Sequence, residues 1–176
     1  MLTTIMVQSV ELLLDDTAEA EIRRQWVLLA DAGLHSPAAD HRPHITVAVA
    51  REIPPRLDRA LAAREFRPLP IRLGGLLVFG ARHPILVRAV VPTEALLALQ
   101  RRLFAVIAPC PGVPATVHPD AWTPHVTLAR RLRPRQLGEA VHAVAGDRDI
   151  PATVVSVRRW DGDQRRAWPV AGGSGR

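Results

Sequence analysis

Pro43-His44-Ile45-Thr46-Val47-Ala48 and Pro124-His125-Val126-Thr127-Leu128-Ala129 are the two stretches on which the reading of this chain turns. Each runs Pro, His, β-branched, Thr, apolar, Ala, and the two histidines stand 81 residues apart in a chain of 176. With seven His and 13 Ser plus Thr, one His-x-Ser/Thr pair is expected by chance about half the time, so a single match carries little. A second match that shares the Pro before it and the apolar-Ala pair after it is a different matter. Both stretches read as strands, over 44–50 and 125–130. A period of two then puts His, Thr and Ala on one face of each strand. Ile45, Val47 and Val49, or Val126 and Leu128, take the other. The apolar face should pack under helices, and the alanines should leave room for a ligand beside the imidazole and hydroxyl.

The flanking sequence gives each strand a similar setting. Residues 5–14 read as a strand, followed by a helix over 18–33 capped by Asp16 or Thr17 and stopped at Gly33. A short helix is expected over 56–65, then strands over 69–79 and 84–91 around a turn near Gly80. Gly74-Gly75 inside the first of these suggests a bulge. Thr93 caps a helix over 94–107 with Leu96, Leu99, Leu103 and Ile107 as its apolar stripe. A Pro-rich loop covers 109–124. A helix over 134–145 opened by Pro134, a strand over 150–160 and a short strand over 165–170 complete the order. Strand, helix, strand, helix, strand occurs twice, which reads as an internal duplication. If the halves pack around a pseudo-twofold axis, both His-Thr pairs line one cleft.

Composition fits one globular domain. A chain of this length buries enough surface to need no disulfide or metal staple. Its single cysteine, Cys110, excludes an intrachain disulfide and a cysteine zinc site, and it reads as a structural thiol. No apolar run of about 18 residues is present, so no membrane span is expected. The start lacks a basic stretch ahead of an apolar one, so no secretory signal is expected, and the cytoplasm is the expected compartment. All 23 basic residues are Arg. Residues 1–40 carry seven acids and two Arg, and the remainder carries 21 Arg and ten acids. A basic body suits a phosphate-bearing ligand, although a solvated Arg-rich surface would have the same composition.

Two facing imidazoles suit acid–base chemistry near neutral pH. One can take a proton from an attacking water or hydroxyl while the other donates to the leaving oxygen. The threonine hydroxyls can donate to non-bridging phosphate oxygens, and a nearby Arg can offset the charge. Two histidines without a carboxylate or Cys partner make a poor metal shell, so no metal and no cofactor is expected. Residues alone leave the two histidines equivalent, and either could be the acid.

His44-Ile45-Thr46-Val47 and His125-Val126-Thr127-Leu128, with the longer run Trp122 to Arg130, resemble the two-histidine phosphoesterase superfamily. The nearest branch is that of bacterial 2′,5′-RNA ligases and RNA 2′,3′-cyclic phosphodiesterases. The likeness extends more softly over residues 10–34 and 75–103. It implies an α+β fold, bilobal and pseudo-twofold, with antiparallel sheets from the two lobes facing a central cleft and helices outside. The expected extent is one bilobal domain over 1–170 with a flexible tail over 171–176. The resemblance further implies metal-independent hydrolysis of a 2′,3′-cyclic phosphate, on an RNA end or a nucleotide, to a 2′-phosphate. The ATP-independent joining of a 5′-hydroxyl to a cyclic phosphate uses the same groups. By the same resemblance His44 is the proton donor, His125 the proton acceptor, and Thr46 and Thr127 hold the phosphate. An RNA end or small cyclic nucleotide is the implied partner, and a monomer is expected. A non-catalytic RNA- or nucleotide-binding module, and a phosphodiesterase for another cyclic or 2′,5′-linked nucleotide, are the alternatives.

Further substrate contacts are sought among arginines and aromatics. Arg130 follows the second motif, but strict alternation points it away from His125. Arg42 and Arg82 are further phosphate candidates. With no Tyr and three Phe, stacking platforms are scarce, and Phe79 and Trp122 are the candidates. His35, His41, His83, His118 and His142 have no metal-ligand spacing and read as surface or turn residues.

Overall fold

The computed structural model describes residues 7–38, 40–145 and 149–172. Residues 5 and 6 of the first expected strand and the last four residues of the expected tail lie outside that set. The elements run β1 (Gln8–Leu14), α1 (Asp16–Asp31), β2 (His44–Ala50), α2 (Leu57–Ala62), β3 (Leu69–Phe79), β4 (Ile85–Val90) and α3 (Glu94–Ile107). They continue with β5 (His125–Ala129), α4 (Leu137–Val144), β6 (Ile150–Asp161) and β7 (Arg166–Gly172).

The two long helices start at side-chain caps. Thr93 accepts from the Leu96 N–H at 3.3 Å, and α3 spans the expected residues. Helix α1 starts earlier than expected, because Asp15 is its cap. One Asp15 oxygen accepts from the Ala18 N–H at 3.0 Å and the other from the Thr153 N–H of β6. The Asp15 N–H in turn donates to the Thr153 carbonyl at 2.9 Å. A cap contributes about 1 kcal/mol, and this one also fastens the β1–α1 corner to β6. At the other end Gly33 takes a left-handed φ of 71°, which lets the Leu34 N–H return to the Leu29 carbonyl. The fourth helix opens with a 3₁₀ turn at Pro134–Gln136, so its α-helical part begins only at Leu137.

Every strand pairing is antiparallel. The order is β1-β2-β5-β4-β3-β6-β7, and a further β1–β6 pairing closes the first six strands on themselves. Strands β2, β1, β6 and β7 lie on one side and β5, β4 and β3 on the other, so each side takes strands from both halves of the chain. Strands β2 and β5 meet at a single register pair, Ile45 with Val126, while β3 joins the first five residues of β6, Ile150 to Val154. Strand β7 takes over the same edge of β6 from Ser156 onward. It includes Ala171 and Gly172, two residues expected to fray as tail. A Cβ on Gly172 would lie 2.5 Å from the Val155 carbonyl oxygen, so only glycine fits.

The two connecting helices are exchanged. Helix α1 joins β1 to β2 in sequence but packs on β5, and α3 packs on β2. Ile22, Trp26 and Leu29 of α1 and Leu96, Leu99 and Leu103 of α3 are buried with Ile45, Val47, Val126 and Leu128 in one apolar core. Each fully buried Leu or Ile contributes about 1.5–3 kcal/mol. Arg88 is buried within this packing, where it donates to Gln25 Oε1 at 3.2 Å, the Gly74 carbonyl at 2.8 Å and the Val144 carbonyl at 3.1 Å. It thereby ties α1, the β3 bulge and the last turn of α4 together. The bulge itself lies between Leu73 and Leu76, where Gly74-Gly75 suggested one.

Candidate active site

The Pro before each histidine shapes the imidazole's position. His44 Nδ1 lies 2.8 Å from the Arg42 carbonyl, and His125 Nδ1 lies 2.7 Å from the Thr123 carbonyl. In both cases the partner is the residue before the Pro. A carbonyl only accepts, so each Nδ1 carries the proton and each neutral imidazole keeps its lone pair on Nε2. The two rings are therefore set in the same tautomer by the same local turn.

Beyond each threonine the strands depart from strict alternation. Val10 pairs with Ala48 but Glu11 pairs with Thr46, and Leu86 pairs with Ala129 but Val87 pairs with Thr127. Val47 and Leu128 are thus the extra residues of two matching β-bulges. Past each bulge the faces swap. Ala48 and Ala129 were expected to open the cleft, yet both are fully buried in the core. Val49 and Arg130 take the cleft positions instead. The bulge is the reason Arg130 reaches the site that alternation denied it.

Each bulge is held from the opposite half of the chain. Trp26 of α1 donates its indole N–H to the Thr127 carbonyl at 3.0 Å, and Trp122 donates to the Thr46 carbonyl at 2.9 Å. Gln100 of α3 adds a bond to the Val47 carbonyl at 3.1 Å. Trp122 is 8% exposed, so it is a positioning residue for β2 and offers no face to a base. Phe79 fares differently. Its ring meets the His125 ring edge-on, with centroids 4.8 Å apart.

A cleft of about 860 Å³ opens over these strands. His44, Thr46, Thr127 and Arg130 line it, together with Glu11, Arg131, Arg158, Trp160 and Arg165. Arg131 and Arg165 have φ of 54° and 52°, the left-handed region, and they are the non-glycine residues with positive φ among those described. His35 and His41, expected at the surface, also line the cleft, and the His41 ring stands 6.1 Å from Trp160. Arg42 lines it too, but its guanidinium is already paired with Glu19 at 2.7 and 3.0 Å. Arg82 sits in the exposed β3–β4 turn and does not line it. His118 packs on Phe104, and His83 and His142 are exposed. Cys110 is partly buried, which pushes its thiol up and keeps it a poor nucleophile.

Burial dominates the titration of both imidazoles and lowers them below the ordinary histidine value. For His44 the Glu11 carboxylate and the Arg42 carbonyl work against that, while Arg158 and Arg130 add to it. For His125 only the Thr123 carbonyl opposes burial, and the charges of His44 and Arg130 lower it further. Sequence reasoning overlooked Glu11, Arg158 and Trp160. The signals available were an acid inside an apolar strand and an Arg-Arg-Trp run inside another. Among the described residues, no group of three or more His, Cys, Asp or Glu side chains is placed to hold a metal ion, and no helix is long and apolar enough to cross a membrane.

The architecture matches solved structures across nearly the whole chain. The Thermus thermophilus protein TT0787 aligns over 93% of this chain and 94% of its own, with 20% identity and a TM-score of 0.60. E. coli LigT complexed with 3′-AMP aligns over 93% and 94%, with 17% identity and a TM-score of 0.57. Kluyveromyces marxianus Usb1 aligns over 93% and 97%, with 14% identity and a TM-score of 0.56. At these identities the likeness establishes the fold. No curated protein sequence gives a significant match. The model of the 2′-5′ RNA ligase superfamily matches residues 14–166, both histidine motifs included, and the chain belongs to that family of two-histidine phosphoesterases.

Proposed function

We propose that this protein is a metal-independent phosphodiesterase that opens a 2′,3′-cyclic phosphate, on an RNA end or a small nucleotide, to a 2′-phosphate. The observation that carries the reading is the matched pair of imidazoles. Each is tied through Nδ1 to a backbone carbonyl, presents Nε2, and is followed two residues on by a threonine on the same strand face.

The chemistry follows from that pair. His125 Nε2 takes a proton from water, whose oxygen attacks phosphorus in line with the 3′-oxygen. The P–O3′ bond breaks, and His44 Nε2 gives its proton to the departing 3′-oxygen. Thr46 and Thr127 donate to the non-bridging oxygens as charge builds there, and Arg130 supplies a positive charge at the same wall. A 5′-hydroxyl in place of water gives a 2′,5′ linkage by the same steps, with no ATP consumed. The nucleotides held by solved relatives, 3′-AMP and NADP+ in LigT and uridine monophosphate in Usb1, are of the chemical class this cleft would accept.

The test is turnover of a 2′,3′-cyclic nucleotide and of a short RNA ending in a cyclic phosphate, with EDTA present, from about pH 5 to 9. A bell-shaped profile and a 2′-phosphate product are expected. Replacing either His44 or His125 with Ala should lower kcat by about 10²–10⁴-fold with the protein still folded. Full activity in both variants, or loss of activity in EDTA, would overturn the reading.

A further inference from the structure

Superposing the two halves by their strand register pairs each residue around one histidine with a twin around the other. Glu11 faces Thr46 across β1 and β2, and Val87 faces Thr127 across β4 and β5. Arg158 is the β6 neighbour of Glu11, and Leu77 is the β3 neighbour of Val87. So the backbone around the two imidazoles is alike, while one has an ion pair beside it and the other has two aliphatic side chains.

The carboxylate is closely held. Glu11 is 3% exposed. Ser9 Oγ donates to Oε1 at 2.7 Å and Arg158 Nε donates to Oε2 at 2.8 Å. The same Oε1 lies 3.5 Å from His44 Nε2, the nitrogen left free by the Arg42 carbonyl. Burial raises the Glu11 carboxyl, but His44, Arg158 and Ser9 together outweigh it and keep the group ionised. Glu11 is therefore a fixed negative charge rather than a proton donor. Among the described residues, the charged and titratable groups that act on His44 are Glu11 from β1, Arg158 from β6, His125 from β5 and Arg130 just beyond β5. Glu11 is the one anion among them.

We propose that Glu11, clamped by Ser9 and Arg158, is the positioning residue that breaks the pseudo-twofold symmetry of the site, favouring the shared proton on His44, the acid, over His125, the base. The role assignment rests on the phosphodiesterase reading; the charge assignment does not. An imidazolium at His44 carries Nδ1–H to the Arg42 carbonyl and Nε2–H toward Glu11, from which a leaving oxygen can take the proton. Among the described residues no anion stands beside His125 to hold a second proton, and its Nε2 lone pair stays available for water. The electrostatics need not copy the symmetry of the backbone, and a difference in charge beside the two imidazoles is what would fix which of them holds the proton.

The experiment is an NMR titration of both imidazoles, with the kcat/KM profile measured on the same variants. An opposite charge this close moves a pKa by about 1–3 units, and Arg158 offsets part of that here. In Glu11→Gln the His44 midpoint should fall by about one pH unit, with His125 moving less. The alkaline limb of kcat/KM should fall with it and the acid limb should stay, because the acid must be protonated and the base must not. Glu11→Asp should restore most of the shift. Arg158→Gln removes a cation from the pair and should move the His44 midpoint up, an opposite sign that a general loss of packing would not produce. A His44 midpoint unchanged in folded Glu11→Gln, or a moved acid limb with a fixed alkaline one, would overturn the proposal. The midpoints need no turnover, so a protein inert on every cyclic phosphate would overturn the activity reading while the midpoints still decide the role of Glu11.

Discussion

The β1-α1-β2 half and the β4-α3-β5 half hold their histidines in the same way and surround them differently. The shared features are backbone features: the Pro that turns the chain, the carbonyl that takes the Nδ1 proton, the bulge after the threonine. Each bulged threonine carbonyl also receives an indole N–H supplied by the other half. The differing features are side chains: Glu11 against Val87, Arg158 against Leu77, Val49 against Arg130, Trp160 against Phe79. The backbone that sets the two imidazoles is alike in both halves. The charge beside each differs, and on the proposed reading that difference is what separates acid from base.

The largest effect expected from this contrast depends on the leaving group. If His44 serves the leaving oxygen, His44→Ala should be deeply impaired on a ribose leaving group, by about 10²–10⁴-fold. It should recover to within about tenfold of the native rate on a diester whose leaving group is a nitrophenolate, which needs no proton. His125→Ala should stay impaired on both, since water still needs its base. Rescue of His125→Ala and not of His44→Ala would exchange the two roles and with them the meaning of Glu11.

A smaller effect is expected where the halves are alike. Trp26→Phe and Trp122→Phe each remove one indole N–H and leave a threonine carbonyl at a bulge without its donor. Each should cost about 1–3 kcal/mol of stability, read from the denaturation midpoint. The crossed connection makes a sharper statement than the loss itself. Trp122→Phe should disturb the NMR signals of His44 before those of His125, and Trp26→Phe the reverse. Equal disturbance of both histidines by either variant would show that the two bulges move as one unit.

The parts of this site that were legible in the sequence are those set by local chemistry. The strand over 44–50 and the helix over 94–107 follow from Pro, Thr and apolar spacing, and the structure places them on the same residues. The bulges depend on how β2 and β5 register against β1 and β4, strands far away in sequence, so alternation misplaced Ala48, Ala129 and Arg130. A local trace of them does exist in the paired apolar residues Val47-Ala48 and Leu128-Ala129, adjacent positions that are both buried. Glu11 was equally hard to place. In Val-Glu-Leu-Leu-Leu it reads as one acid in an acidic opening segment, and its value comes from Arg158 and His44, 147 and 33 residues away. Trp122 shows the same limit, because a lone aromatic near a motif carries no mark of whether its face or its N–H is the part in use.

The smallest expected effect concerns stability rather than rate, and it bears on both halves at once. Burial lowers both imidazoles below the ordinary value of 6.5. In the window between that value and the lower folded ones, the unfolded chain binds protons that the folded chain does not. Stability therefore rises with pH there, and is lost as pH falls, by up to one proton's worth of slope per histidine. Glu11, lowered from 4.5 in the fold, has the same sign at lower pH: its contribution is complete above that value and disappears as the carboxyl is protonated. Denaturation midpoints between about pH 7 and 5 should fall on acidification, and removing one imidazole, as in His125→Gln, should reduce that slope. The contrast between the halves should show in the order of loss. His44, held up by Glu11, should flatten the slope less when replaced than His125 does over the upper part of the window. A larger change from His44→Gln there would mean that desolvation outweighs the carboxylate at His44 by more than it outweighs the carbonyl at His125, and the acid would then have to be sought in the other half.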